Sequence, residues 1–366
     1  MSDLGFETKE LKLRHILMTI NPARSIYAGG ISREHPITVV FAGERPITSS
    51  PLLTLAEAVR GHGVCPVFSG QVEFSSTIEW LRLVRRSDVV LFVGYSGPGP
   101  YMIRQLALAA SLGKPIVRWW VGSDVLYCVQ DQAKARWAKV ADQLCSEAIT
   151  GAPHLQGELA SIGLSATLIP TVVNPEFLEI EPPRGVVARD ILVYLPTNKG
   201  TFYGEEVVAA AIRANPDLQF VVVADAQHRF RGFRNVESLG WVEDMRPVYD
   251  RTGCLLRMTQ HDSLPRMAIE TLLLGKYVIC SHEFPGCWAA KDFQDVQKWI
   301  SVFRTRTLVN EAGMAAIKKL LTPPPGVQFA DVLRKSVADR GMAVRIGAML
   351  ALLPLTLLAS VLDREK

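Results

Sequence analysis

From residue 37 onward the chain alternates short apolar runs with longer segments whose apolar residues recur every three or four positions. Ile37–Phe41, Val64–Phe68, Asp88–Val93 and Lys114–Trp120 read as strands. Between them Pro51–Arg60, Ser76–Arg86 and Tyr101–Leu112 read as helices. Ser49 or Ser50 caps the first, with Pro51 in its opening turn, and Gly113 closes the last. Runs that are uniformly apolar suit parallel strands covered on both faces. The pattern continues through Leu144–Ile149, a helix around His154–Ser161, and Ala166–Pro170. It breaks over 174–185, which holds three prolines and no period. It then restarts with the strand Ile191–Leu195, the helix Gly204–Arg213, the strands Leu218–Ala224, Val236–Leu239 and Gly253–Met258, the helix Arg266–Leu274 and the strand Tyr277–Cys280.

Repeated strand–helix alternation on either side of a proline-rich break predicts an α/β fold of two doubly wound, Rossmann-like domains. The expected borders are 1–173 for the first domain, 174–189 for a linker, 190–330 for the second domain and 331–366 for a C-terminal helical tail. A chain of 366 residues is long enough for two cores. Forty basic against 36 acidic residues, a net charge of +4, give no basic surface for nucleic acid. With 48% hydrophobic and 21% charged residues the chain is not disordered, and no fixed-period repeat is visible. The six cysteines form no CxxC pair and read as reduced thiols; no metal-ligand constellation is present.

The two ends carry patterns of their own. Leu11, Leu13, Ile16, Leu17 and Ile20 interleave with Lys9, Lys12 and Arg14, which suits either a basic surface helix at a membrane or a helix docked on its own domain. No secretory leader is expected. The seventeen residues 346–362 carry no charge and follow Arg334, Lys335, Arg340 and Arg345. As a helix they would reach ~26 Å, just short of a bilayer core, with Pro354 in the middle. A membrane contact through 341–362 and a helix returned to the first domain are both open. The expected location is the cytoplasm, free or held at the cytoplasmic face of the inner membrane.

The candidate chemistry lies in His261-Asp-Ser-Leu-Pro-Arg-Met-Ala-Ile-Glu270. Two acids, Asp262 and Glu270, are separated by seven residues, the first in a loop after a strand and the second in the following helix. The amides at that helix start, at the positive end of its dipole, suit a phosphate. Glu270 is placed to accept from a ribose diol and Asp262 from a sugar hydroxyl. Each has a plainer reading: Glu270 as a solvated first-turn carboxylate, Asp262 as the cap of a helix starting near Leu264, and His261 as a loop residue.

This stretch, with the apolar helix, Gly275 and strand after it, resembles the signature of the family-4 retaining glycosyltransferases, which have the GT-B fold. Ile169–Phe177 resembles their interdomain segment. Ile191–Gly200 resembles the strand and loop that end in a Lys-Gly pair, and Trp119–Val125 their "HGSDV" segment. Asn235–Asp250 resembles the stretch ahead of the site. The resemblance covers about residues 85–285 and implies two domains facing across a cleft. It implies a nucleoside-diphosphate sugar as donor substrate, a glycan or lipid-linked acceptor, retained anomeric configuration and no metal or other cofactor. Carried over, it assigns Asp262 and Asp124 to the catalytic side, and Lys199, Ser263, Leu264 and Glu270 to the donor, with Lys199 on the diphosphate. Asp124 as a turn residue and Lys199 as a surface residue are the plainer readings.

Three departures stand out. Asp262 replaces the family's more usual Glu, Val121 replaces the His of "HGSDV", and Val193 and Tyr194 occupy the places of an Arg, for which Arg257 or Arg266 are the available substitutes. Gly94–Tyr101, with two prolines, reads as a tight turn lining the cleft, because proline removes the donors a phosphate cradle needs. Of Trp119 and Trp120, one can face an acceptor sugar and the other must face away. The expected function is sugar transfer. A chain of the same fold that binds without turnover and a nucleotide-sugar epimerase are the alternatives.

Overall fold

A computed structural model describes residues 36–42, 51–70, 77–93, 100–181 and 185–339. The N-terminal segment 9–20, the Gly94–Gly99 turn and the apolar run 341–362 lie outside the described residues.

The first sheet has six parallel strands: β1 (Ile37–Ala42), β2 (Val64–Gly70), β3 (Val89–Val93), β4 (Ile116–Trp120), β5 (Glu147–Thr150) and β6 (Thr167–Leu168), in the order β2-β1-β3-β4-β5-β6. β3 and β4 are buried at every position; β3 is apolar throughout and β4 is interrupted only by Arg118. Helices Pro51–Arg60, Thr77–Arg86 and Pro100–Ser111 connect the first four strands. Two helices unmarked by the sequence pattern, Ser123–Gln130 and Gln132–Asp142, lie between β4 and β5. The second buries only Ala138 and Ala141, so its apolar stripe is too thin to read.

The second sheet is also six parallel strands: β7 (Asp190–Tyr194), β8 (Phe220–Val223), β9 (Val236–Gly240), β10 (Thr252–Arg257), β11 (Tyr277–Cys280) and β12 (Trp288–Ala289), ordered β12-β11-β10-β7-β8-β9. β7, β8, β10 and β11 form its buried centre, with Leu192 opposite both Leu255 and Val221. Helices Glu205–Ala214, Arg266–Leu273 and Phe293–Thr305 cover it.

Two segments depart from expectation. The proline-rich break is not all extended: Pro175–Glu179 forms a short helix, with Asn174 accepting from the Glu176 N–H and Phe177 buried. Proline fits there because an N–H at the first helical position would have no partner within the helix. The helix Pro325–Ala338, which crosses the border drawn at 330, packs on the first sheet. Its Phe329, Ala330 and Leu333 enter the core of Val39, Phe41, Leu91 and Trp119. Among the described residues the chain therefore crosses between the two sheets twice.

A further apolar cluster spans the junction. Trp120, Val125, Leu155 and Leu159 from the first sheet's side join Leu264, Ile269, Leu272 and Ile317 from the second. All six cysteines are free, and Cys128, Cys254 and Cys280 are buried.

Candidate functional site

Strands of a doubly wound sheet present their carboxyl ends to ligands. Here the carboxyl ends of both sheets meet around a cavity of about 580 Å³. Trp119, Val121, Thr171 and Val172 line it from the first domain. Tyr194, Ala224, Trp241 and Arg257, at or just beyond the ends of β7 to β10, line it from the second. The segment Asp262–Met267 and Glu270 complete the second wall. Helix Arg266–Leu273 opens at this wall. Its cap position is Pro265, which has no N–H, and no side chain caps its first turn. The amide end of the helix thus faces the cavity, as anion binding requires.

Arg257 is the last residue of β10 and is buried. Its Nε and Nη2 donate to Asp262 Oδ2 at 3.1 and 2.6 Å. Its guanidinium also lies over the rings of Tyr194 (4.7 Å) and Tyr203 (5.2 Å). Burial pulls its pKa down, but Asp262 and the tyrosines more than offset this and the net shift is upward, so the charge is permanent. Asp262 Oδ1 accepts the Ser263 N–H at 2.9 Å.

Glu270, on the second turn of its helix, is buried rather than solvated. Its Oε2 accepts from Tyr249 Oη at 2.6 Å, and Oε1 lies 3.4 Å from Arg266 Nε. Burial raises its pKa against the opposing pull of Arg266 and Tyr249. Arg266 also reaches the first domain, donating from Nη1 to Thr54 Oγ1 at 2.8 Å. Both substitute arginines therefore line the cavity, each held by one of the two acids.

Ser263 and Leu264 lie on the cavity wall. Ser263 is buried where its loop crosses to the first domain. A Cβ on Gly122 would stand 3.0 Å from the Ser263 nitrogen, and one on Gly151 would stand 2.5 Å from its Oγ. Only glycines at the ends of β4 and β5 admit this loop so closely.

Two expected site residues are not brought there. Asp124 is fully buried and does not line the cavity. Its Oδ1 accepts the N–H groups of Val121, Gly122 and Val125 at 3.0–3.1 Å, and its Oδ2 lies 3.7 Å from buried Arg118. Burial pushes its carboxyl up to about 6. It therefore shapes the turn after β4, away from the cavity wall. Arg118, a lone cation inside an apolar strand, was the sequence signal for a buried acidic partner. Lys199 is exposed in the loop after β7 and is not part of the cavity wall.

Trp119 and Trp120 obey strand alternation. Trp119 touches the cavity and packs edge-on to Phe329 at 5.1 Å, whereas Trp120 faces the other way and carries Arg118 on its ring at 3.6 Å. His261 is buried and donates from Nε2 to Glu158 at 2.7 Å, so it belongs to the domain junction. Tyr194 and Trp241 were missed as wall residues. Trp241, 59% exposed, directly follows the glycine that ends β9, and an aromatic after a strand-ending glycine was the available signal. Among the described residues no cluster of three or more His, Cys, Asp or Glu is arranged to hold a metal ion, and no helix is long and apolar enough to cross a membrane.

Neither a protein-family model nor a curated protein sequence matches the chain. Solved structures match it in fold. Sucrose-phosphate synthase from Thermosynechococcus elongatus aligns with a TM-score of 0.59 at 12% identity, over 82% of this chain and 99% of that one. HepE of Anabaena, in complex with UDP and glucose, aligns with a TM-score of 0.55 at 12% identity, over 83% and 98%. UDP-GlcNAc 2-epimerase from Neisseria meningitidis, bound to UDP-GlcNAc, aligns with a TM-score of 0.50 at 10% identity, over 82% and 99%. At these identities the likeness shows the fold. It is the GT-B architecture of two Rossmann-like domains facing across a cleft.

Proposed function

We propose that the chain is a glycosyltransferase that takes a sugar from a nucleoside-diphosphate donor. The observation that carries this reading is the convergence of Asp262, Glu270, Arg257 and Arg266 on one cavity, around the open end of a helix. A nucleoside diphosphate is an anion with a ribose diol at one side and, in the donor, a sugar at the other. The helix amides and the two guanidinium groups meet the diphosphate and its developing charge as it leaves. Glu270 accepts from the ribose, and Asp262 accepts from a sugar hydroxyl. HepE was solved with UDP and glucose, and UDP is the first donor nucleotide to try.

A family-4-like, retaining, metal-independent reaction on a glycan or lipid-linked acceptor is the finer form of the proposal. It rests on the resemblance over Asp262–Glu270. Lys199 is replaced in it by Arg257 and Arg266. The epimerase neighbour supports a second reading, in which the donor itself is rearranged without an acceptor.

The test is thermal unfolding of the full chain with UDP, UDP-glucose, UDP-GlcNAc and the corresponding purine nucleotides, followed by product analysis. A ligand at about 100 times its dissociation constant adds roughly 2.7 kcal/mol, a rise of a few degrees. The rise is expected for one nucleotide and lost in Glu270→Ala. A new glycoside formed only with acceptor present supports transfer. An altered sugar nucleotide formed without acceptor supports epimerisation. Binding without either product supports a non-catalytic binder, and no rise with any nucleotide overturns the donor site.

A further inference from the structure

The junction between the domains holds three imidazoles that the donor site does not use. His154 lies on the first-domain helix Pro153–Ser161, and His261 and His282 lie on the loops after β10 and β11. The His154 and His282 rings are stacked, 4.9 Å apart with planes 6° from parallel. His261 stands 6.0 Å from His154 and 5.9 Å from His282, edge-on to both.

One contact of this group reaches the cavity wall. His154 Nε2 is 2.8 Å from the main-chain carbonyl of Asp262. A carbonyl only accepts, so Nε2 carries the proton and the tautomer is fixed. His282, stacked on the ring, sets its plane. His261 donates to Glu158, on the same helix as His154, and so holds the helix against the loop from a second point. The Asp262 and Glu158 contacts, together with the stacking of His282 on His154, hold the cluster.

The Asp262 side chain is tied to its own domain by Arg257, while its main chain is tied to the opposite domain by His154. We propose that His154 is a positioning residue, which sets the Asp262 carboxylate in the cavity from across the junction and so makes its alignment depend on the two domains being together. The inference rests on the reading of Asp262 as the acid that meets the donor sugar. It goes beyond that reading in naming the first-domain residue through which the sugar side of the site is assembled.

Two variants of the full chain separate positioning from packing. His154→Phe keeps a planar ring for the stack and loses the donor; His154→Gln keeps an N–H that reaches the same carbonyl. Without ligand, amide exchange of residues 259–264 is expected to quicken about tenfold in His154→Phe, the equivalent of one hydrogen bond, and to return toward wild type in His154→Gln. An unchanged rate in His154→Phe, or an equal rise in both variants, overturns the proposal.

With ligand, UDP is expected to bind His154→Phe as it binds wild type. The affinity gain of UDP-glucose over UDP is expected to fall about tenfold and to be restored in His154→Gln. A loss of affinity for UDP itself overturns the confinement to the sugar side. If wild type binds neither probe, the donor-site reading fails and the exchange rates alone decide the role of His154. Nitrogen NMR of the wild-type imidazole needs no variant: an Nε2–H tautomer is expected, and an Nδ1–H tautomer overturns the contact.

Discussion

A buried side chain in the junction shows how strongly its surroundings decide its state. His282 is held neutral: burial, then His154 and His261, lower its pKa to about 4, against a smaller opposing pull from Asp262 and Glu158. In the unfolded chain the group titrates near 6.5. Between the two values the unfolded chain binds a proton that the folded chain refuses. Its stability contribution is therefore full above about 6.5 and lost as the pH falls through about 4. His282→Phe retains a ring against His154 and removes this titration. The fall in urea midpoint between pH 7 and pH 4.5 should be smaller in the variant than in wild type; an equal fall would place the acid sensitivity elsewhere. The same scale explains what could be read from the sequence at the site. Asp262 and Glu270 were legible because their spacing fixes one in a loop and one on the helix that follows. The burial of Asp124 was not legible because its partner, Arg118, belongs to another element, and only the tertiary structure buries the two together.

Among the elements, strands were legible and several helices were not. A strand buried on both faces is apolar along most of its length; β3 and β8 state this without interruption, β4 around Arg118 and β10 between Thr252 and Arg257. A helix that buries one thin edge states little: Glu311–Leu320 buries only Gly313 and Ile317. The segment 174–185 hid a helix because prolines that permit a helix start resemble prolines that forbid a helix. Close contact between elements is not written in periodicity at all. The turn after β4 works only because Gly122 has a φ of +123°, and a Cβ there would stand 3.0 Å from the Ser263 nitrogen and 3.2 Å from the Asp262 carbonyl carbon. Both obstacles are backbone, so neither yields by a side-chain rotation. Gly122→Ala should cost about 1–3 kcal/mol from the forced backbone conformation alone. It should also displace the Asp262–Ser263 loop. Urea denaturation checks the first effect, and the response of the variant's thermal midpoint to UDP-glucose checks the second. Unchanged stability would show that the turn can adopt another conformation.

At the scale of the whole molecule, the final described helix decides how the two domains are coupled. Helix Pro325–Ala338 leaves the second domain and seals the first, with Phe329 wedged edge-on against Trp119, a residue that also touches the cavity. The first domain is thus completed by residues that follow the second in the chain. The first sheet does not have all of its cover until the helix Pro325–Ala338 is made. A large-to-small change at a buried phenylalanine costs about 3–5 kcal/mol. In Phe329→Ala that loss falls on the first sheet, and two outcomes are distinguishable by amide exchange. If the domains open separately, β4 should exchange about two to four orders of magnitude faster while β10 keeps its protection. If the apolar cluster that joins Trp120 and Leu155 to Leu264 and Ile317 makes one cooperative unit, β4 and β10 should lose protection together. The expected result is the first. Beside that apolar cluster, at the cavity itself, the domains meet through a few polar bonds and two close glycine approaches, and this is the part of the junction expected to yield first. Equal loss in both sheets would overturn this and leave opening of the cleft to local motion of the loops around Asp262.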